Sequence, residues 1–520
     1  MRFIFFPKLF IPVVVVLSAI VNFLFLEHNN QLIREINPGN QLINAKALVY
    51  DQTIFSVDNE YYLSPVENYL QGNGWKRYPG VGNGDYFRRV PGYSLVYLFF
   101  VKSFGFPTGH LALKIFQLLL FLSTIPLVFY LAGLFSGKTV SRLTTILYAF
   151  VPYISSWAYF TLTESISPAL MMFYVFFLFR AYLSENEKRK LAYYLFAALF
   201  FTIGVLTRPP IAIAGLALFI FTIRDYIYKK KWAGLSPLVS IWLIPFILIS
   251  IWTIRNYVLT KEIVFLEKSV HPQTLDRMKP AFRGFWRFAK CWGEDGIKMN
   301  AYHDPLFNSA LKGDTSSIQV NNFLAALPPS IIKEFGYGRL FDVVKRYQML
   351  AYGYKPYVDS IKAMPAHFTP EELAVEKEFD NLVTEYRKKH FAGYWLKTPF
   401  IYLKMLIAHS NTGHLFFFQH ENRGKFYVNP ARYLLLAIHV FLYLSLFCNL
   451  FLMKGFNNKL VFVYIPLLFL FFFTVIHREI EQRYILPILP VIITGSSCTI
   501  QRALQVFVKL SGDKMKWLIK

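Results

Sequence analysis

Several groups of residues in this sequence could do chemistry. Asp58-Asn59-Glu60-Tyr61-Tyr62 is followed by Asn68 and by Gly72-Asn73-Gly74. A carboxylate there can accept a proton from an incoming hydroxyl, and the Gly-x-Gly step lets the chain reverse tightly. Arg88-Arg89-Val90-Pro91-Gly92-Tyr93 comes next, directly before an apolar stretch. Guanidinium grips phosphate bidentately, so this run suits a phosphate site. Thr163-Glu164 stands at the start of another apolar segment, where a carboxylate is costly and so suggests function. Further arginines recur at segment ends: Arg208-Pro209-Pro210, Arg255-Asn256-Tyr257, and Glu481-Gln482-Arg483-Tyr484, the last beside His477, Arg478 and Glu479. Together they suit a phosphate-bearing ligand.

Each group also has a plainer use. The Asp58 run could be a solvated loop. An arginine at a helix end can anchor the helix to lipid head groups. Thr161 or Thr163 could cap a helix, with Glu164 complementing its dipole. The histidines show no HExxH spacing, so a catalytic zinc site gains no support. Cys291, Cys448 and Cys498 build neither a disulfide framework nor a CxxC metal site, and the last two should pack in helices. With no P-loop, GxSxG elbow or usable GxGxxG, intracellular nucleotide chemistry has no support either.

The elements that must position these residues are membrane helices. Of the 520 residues, 55% are hydrophobic and 18% aromatic, while only 17% are charged. A soluble chain carries about 25% charge. The composition excludes a soluble single-core enzyme, a disordered chain and a coiled coil, and the continuous apolar runs argue against a β-barrel. The net charge of +24 reflects basic cytoplasmic loops and lipid head groups rather than nucleic acid.

Spans are expected near 9–26, 111–135, 141–160, 163–180, 190–207, 209–224, 234–254, 431–452, 459–477 and 484–500. Glu27-His28-Asn29-Asn30 follows the first, with no small-residue cleavage site, so it reads as an uncleaved span with its N-terminus inside. About ten spans then put every basic loop inside: Lys138 with Arg142, Glu185 to Lys190, Arg224 to Lys231, Lys454 with Lys459, and the tail from Arg502. The same count puts 27–110, Glu164, Arg208, 255–430 and the Glu479–Arg483 turn outside.

The apolar stretches 93–104 and 396–418 read as interfacial or re-entrant helices. The expected domains are a membrane module 1–258, with its first outside loop at 27–110, an exoplasmic, mostly helical insertion at 259–430, and C-terminal spans with a basic tail at 431–520. Thr369-Pro370-Glu371-Glu372 predicts a capping box. Leu373, Phe379, Leu382, Val383 and Tyr386 should follow it on one face.

The ordered motifs carry a resemblance. Asp58…Tyr62…Asn68…Gly72-x-Gly74, Arg89-Val-Pro-Gly-Tyr93, Thr163-Glu164, Leu206-Thr-Arg208-Pro209, Trp252-x-x-Arg255-Asn256-Tyr257 and Glu481-x-Arg483-Tyr484-x-x-Pro487-x-x-Pro490 are in sequence. This series resembles the GT-C integral-membrane glycosyltransferases. The nearest branch is the bacterial relatives of dolichyl-phosphate-mannose protein mannosyltransferases and aminoarabinose lipid A transferases.

The resemblance implies an all-α polytopic fold. It also implies transfer of a sugar from a polyprenyl-phosphate donor to a glycan, lipid or protein acceptor outside a bacterial inner membrane. It gives Asp58 and Glu164 as catalytic carboxylates and Arg89, Arg208, Arg255 and Arg483 as donor-phosphate residues. Glu60, Tyr62, Asn256, Tyr257, Glu481 and Tyr484 would support them. Some relatives use a divalent metal and others do not; Glu60 and Glu164 could join Asp58 around one.

Departures are Val66 where the family has alanine, Pro65 before it, and the long 255–430 stretch. An O-antigen ligase or polymerase is the competing reading, and a transporter a weaker one. The charges sit at outer ends, whereas transport predicts charged or broken helices at mid-membrane.

Overall fold

The computed structural model describes residues 9–36, 57–77, 86, 88–106, 108–228, 235–268, 270–273, 279–359, 364–408, 428–478 and 481–511. Glu479, residues 229–231 and 409–418, and the tail from 512 lie outside these residues. Among the described residues every regular element is a helix. Eight helices among the described residues are long and apolar enough to cross a membrane: Thr108–Ala132, Thr163–Leu183, Glu187–Thr207, Pro209–Ile227, Leu235–Thr260, Asn429–Leu452, Phe456–Ile476 and Gln482–Leu510.

One of the ten expected spans is built differently. The expected 9–26 span falls on a single helix, Phe10–Ile36. The 141–160 stretch is not one helix. Lys138–Phe150 ends where Val151 turns extended, and Pro152 opens a short helix, Pro152–Ser155, followed by 3-10 turns at Ser156–Tyr159 and Thr163–Ser165. Proline has no N–H to continue the ladder and pushes its predecessor toward extended geometry. Most of the irregular run is buried, as non-helical backbone at membrane depth must be.

The expected 234–254 span continues to Thr260, so Trp252, Arg255, Asn256 and Tyr257 lie on its last turns. The 93–104 stretch forms a helix, Gly92–Phe104. Residues 396–408 form the end of a π-helix, Gly393–Lys397, and the helix Thr398–Ala408. Of the cysteines, Cys291 is buried and Cys498 half-buried, but Cys448 is exposed on its helix and not packed.

The insertion has its own core. Phe285, Phe288, Phe323, Tyr347, Phe379 and Leu382 are all buried within one cluster. The helix Pro370–Lys389 starts with the predicted capping box: Thr369 accepts from the Glu372 N–H, and Glu372 accepts from the Thr369 N–H. Its buried face runs Glu372, Val375, Phe379, Leu382. Leu373, expected on that face, is exposed. It is one residue, and therefore roughly 100°, from Glu372 around the helix.

Candidate active site

The first-loop helix Glu60–Leu70 is preceded by a single 3-10 turn, Val57–Asn59, that presents Asp58. Pro65 and Val66 are buried in this helix. The turn after it is held by Asn68, whose Nδ2 donates to the carbonyls of Lys76 and Arg77, both at 2.8 Å. Gly72 and Gly74 take φ of 80° and 83° there, a region that disfavours residues with a Cβ. This accounts for the Asn68…Gly72-x-Gly74 spacing.

Three helix breaks then meet Asp58. Glu164 lies in the 3-10 turn after the Pro152 break. Arg208 caps the Glu187–Thr207 helix and leads into the 3-10 turn Pro209–Ala214. Arg483 lies in the 3-10 turn Gln482–Ile488.

Arg208 Nη1 pairs with Glu164 Oε1 at 2.8 Å, and both side chains are buried. Thr163 Oγ1 donates to Glu164 Oε2 at 2.9 Å and accepts from Arg208 Nη1 at 3.1 Å. Thr163 therefore braces this pair, and it makes no side-chain cap. Arg208 Nη2 donates to the Arg483 carbonyl at 3.2 Å. Arg483 Nη1 holds Asp58 Oδ2 at 2.6 Å, while its Nε lies 3.9 Å from Glu164 Oε1 and pairs with Glu481. Tyr484 lies beneath, with the Arg208 and Arg483 guanidinium carbons 5.4 and 5.6 Å from its ring centroid.

Asp58, Glu164, Arg208, Arg483, Glu481 and Tyr484 thus come together from four separate stretches of the sequence. Arg89 joins from one side. Gly92, three residues on, packs so closely on the end of the Glu187–Thr207 helix that a Cβ would lie 2.6 Å from the Leu206 carbonyl oxygen. That contact places the Arg89 and Arg208 motifs side by side. Tyr62 lies within electrostatic reach of Arg89, Glu164, Arg208 and Glu267 together, and burial raises its phenol above the ordinary range.

Glu60 pairs with Arg77 at 2.5 Å. Asp58, Glu60 and Glu164 are therefore each held by guanidinium groups. Among the described residues no group of three or more His, Cys, Asp or Glu could hold a metal ion, so these three carboxylates do not fit a divalent cation.

Arg255 forms a separate cluster. Its Nη1 donates to the Tyr86 carbonyl at 2.6 Å and to Asn256 Oδ1 at 2.8 Å, and its Nη2 to the Trp75 carbonyl at 3.5 Å. Asn256 Nδ2 donates to the Val264 carbonyl at 2.9 Å and Trp252 Nε1 to the Leu266 carbonyl at 2.7 Å. Tyr257 is exposed on the opposite side.

Glu267, which the sequence reading missed, follows this anchored strap, and its Oε2 lies 3.8 Å from Arg89 Nη1. Surrounding protein raises its carboxyl, against the pull of Arg89 and Arg208. A lone glutamate in a long insertion carries no motif; only its place after the Trp252-x-x-Arg255-Asn256 group was a signal. Tyr61, also missed as a binder, has the Arg77, Arg88 and Arg89 guanidinium carbons at 4.0, 4.3 and 5.2 Å from its ring centroid.

The helical fold, with its long apolar helices, defines a polytopic membrane protein. Residues 89–253, about a third of the chain, match the Dolichyl-phosphate-mannose-protein mannosyltransferase family. None of the curated proteins matches the sequence.

Among solved structures, apo ArnT from Cupriavidus metallidurans is 14% identical over 88% of this chain and 75% of its own, with a TM-score of 0.31. ArnT bound to undecaprenyl phosphate is 12% identical over 90% and 78%, with a TM-score of 0.34. The Archaeoglobus fulgidus oligosaccharyltransferase is 12% identical over 98% of this chain but only 53% of its own, with a TM-score of 0.46.

Proposed function

We propose that this protein moves a sugar from a polyprenyl-phosphate donor to an acceptor hydroxyl or amine at the outer face of the membrane. The reading is carried by one observation: a partly exposed carboxylate, Asp58, is fixed by Arg483 beside a buried Glu164–Arg208 pair. The family match over residues 89–253 supports it.

In the proposed reaction the acceptor atom attacks the anomeric carbon. The bond from that carbon to the phosphate oxygen breaks, and the acceptor proton passes to Asp58. Polyprenyl phosphate leaves with its extra charge, which a guanidinium stabilises. Arg89 is the best placed for that role. Its carboxylate partner lies at 3.8 Å and its side chain is 40% exposed, whereas Arg208 is 8% exposed with its partner at 2.8 Å. Arg208 and Glu164 then brace Arg483, and Arg483 aims Asp58. Arg255, with its guanidinium on two carbonyls, orders the first loop against the Leu235–Thr260 helix.

The test is a transfer assay in membranes carrying the wild type or Asp58→Asn, with labelled polyprenyl-phosphate sugars. Label is followed into lipid, protein and polysaccharide fractions. Loss of a positioned base costs about 10²–10⁴ in rate, so transfer should collapse in the variant while expression holds. Undiminished transfer by Asp58→Asn would remove Asp58 from the site. Absence of transfer by the wild type with every donor would favour a ligase or a transporter.

A further inference from the structure

Glu267 is a carboxylate without an assigned task, at the point where the proposed donor phosphate would meet the protein. Three independent anchors hold the strap that carries it. Trp252 and Asn256 bond the Leu266 and Val264 carbonyls at 2.7 and 2.9 Å. Glu262 then ties the far side, accepting from Lys268 Nζ at 2.6 Å and lying 2.9 Å from His271 Nε2. The Gln273 N–H donates to His271 Nδ1 at 3.1 Å, so the His271 proton sits on Nε2 and is donated to Glu262. Lys261, at φ 60°, makes the turn that starts the strap. A segment secured on both sides of Glu267 presents that side chain in a fixed place.

What it is presented to is Arg89. The separation of 3.8 Å is loose for an ion pair, and both side chains stay more than a third exposed or nearly so, at 40% for Arg89 and 34% for Glu267. The tighter pairs nearby, Glu164 with Arg208 and Asp58 with Arg483, are at 2.8 and 2.6 Å. A loose, partly exposed pair is the one an incoming anion can replace at least cost. A phosphate oxygen offers Arg89 a stronger bidentate partner than a single carboxylate oxygen at that distance.

We infer that Glu267 is the resident counter-ion of Arg89, occupying its guanidinium until the phosphate of a lipid-linked substrate displaces it. Glu267 is then a positioning residue. It keeps Arg89 oriented and neutralised in the empty site, and it competes with both donor and lipid-phosphate product. The inference rests on Arg89 being part of the donor site.

The test needs no turnover. The purified full chain in lipid nanodiscs is titrated with polyprenyl phosphate. Glu267→Gln keeps the size of the side chain and removes its charge; it should bind tighter by about two- to fivefold, as expected for release of a partly exposed pair. Glu267→Asp, still charged, should fall between the variant and the wild type. In the transfer assay, Glu267→Gln should lower the donor KM by a similar factor without raising kcat, a split that mere loosening of the strap would not give.

Arg89→Ala separates the two ideas. If Arg89→Ala weakens binding but Glu267→Gln leaves it unchanged or weaker, the counter-ion role is overturned and the donor site stands. If Arg89→Ala binds as well as the wild type, both fall.

Discussion

At the scale of single residues, the site contains two kinds of arginine. Arg208 is buried against Glu164, with Thr163 bridging them. Arg89 is partly exposed and loosely paired with Glu267. Removing one partner of a buried pair leaves an uncompensated charge and costs about 3–5 kcal/mol. Arg208→Ala should therefore lower the thermal unfolding temperature sharply. Arg89→Ala should leave unfolding near the wild type and lose donor affinity instead. Thermal unfolding in detergent, read beside the polyprenyl phosphate titration, checks both. The division fails if Arg208→Ala unfolds like the wild type, or if Arg89→Ala proves the less stable of the two. Glu164 belongs with Arg208 in this argument. Arg208 pairs with it at 2.8 Å and Arg483 Nε lies 3.9 Å from the same carboxylate oxygen.

At the scale of elements, the candidate site is made where helices stop. Pro152, Pro209 and Pro487 each stand in or just before an irregular stretch that feeds Glu164, Arg208 or Arg483 into one cluster. The sequence announced these prolines, and the order Arg89, Glu164, Arg208, Arg483 was legible because each sits at the edge of an apolar run, while Asp58 was marked by its acidic first-loop motif. The 141–160 break was not read, because an apolar window averages over Pro152. Glu267 was illegible for another reason: its partner Arg89 is far away in sequence, and no local pattern marks a lone carboxylate.

Local chemistry was read best where it needed no distant partner, as at the Thr369 capping box. Even there the structure adds a task. Glu372 also receives Lys279 Nζ at 3.1 Å, with both side chains nearly inaccessible, and accepts from the Tyr354 hydroxyl at 2.5 Å. Thr369→Ala should cost the insertion about 1 kcal/mol, as a lost cap does. Glu372→Ala strands a buried lysine and should cost about 3–5 kcal/mol. Proteolysis of the 280–389 helices as denaturant rises would measure the difference. Equal losses in the two variants would mean that Lys279 gains nothing from Glu372.

At the scale of the whole molecule, the insertion has a core apart from that of the membrane bundle, and a polar clasp is among the contacts that join the two. Lys290 Nζ, just beyond the Pro280–Ala289 helix, donates to the His477 carbonyl at 2.7 Å. Arg478 answers from the bundle side: its Nη1 donates to the Lys290 carbonyl at 3.3 Å and its Nη2 to the Tyr394 carbonyl at 2.8 Å, with the guanidinium 3.7 Å from the Tyr394 ring centroid. Arg478 is buried and takes φ of 55°, a conformation that costs a non-glycine residue about 1–2 kcal/mol. The clasp must outweigh that strain. It stands five residues before Arg483, so the insertion is tied to the same connection that aims Asp58.

Arg478→Ala keeps the strained backbone and removes every contact of the guanidinium with Lys290 and Tyr394, leaving Lys290 Nζ on the His477 carbonyl. Hydrogen bonds from a charged group contribute about 1.5–3 kcal/mol each, so Arg478→Ala should be destabilised by at least that much. Arg478→Gly removes the contacts and relieves the backbone, so it should be the more stable of the two variants while still below the wild type. Limited proteolysis should cut between the insertion and the bundle in both. If Arg478→Gly equals or exceeds the wild type in thermal unfolding, the clasp does not join the two cores. If both variants unfold lower and also lose transfer with polyprenyl phosphate binding intact, the insertion acts on the acceptor side of the reaction through the connection to Arg483.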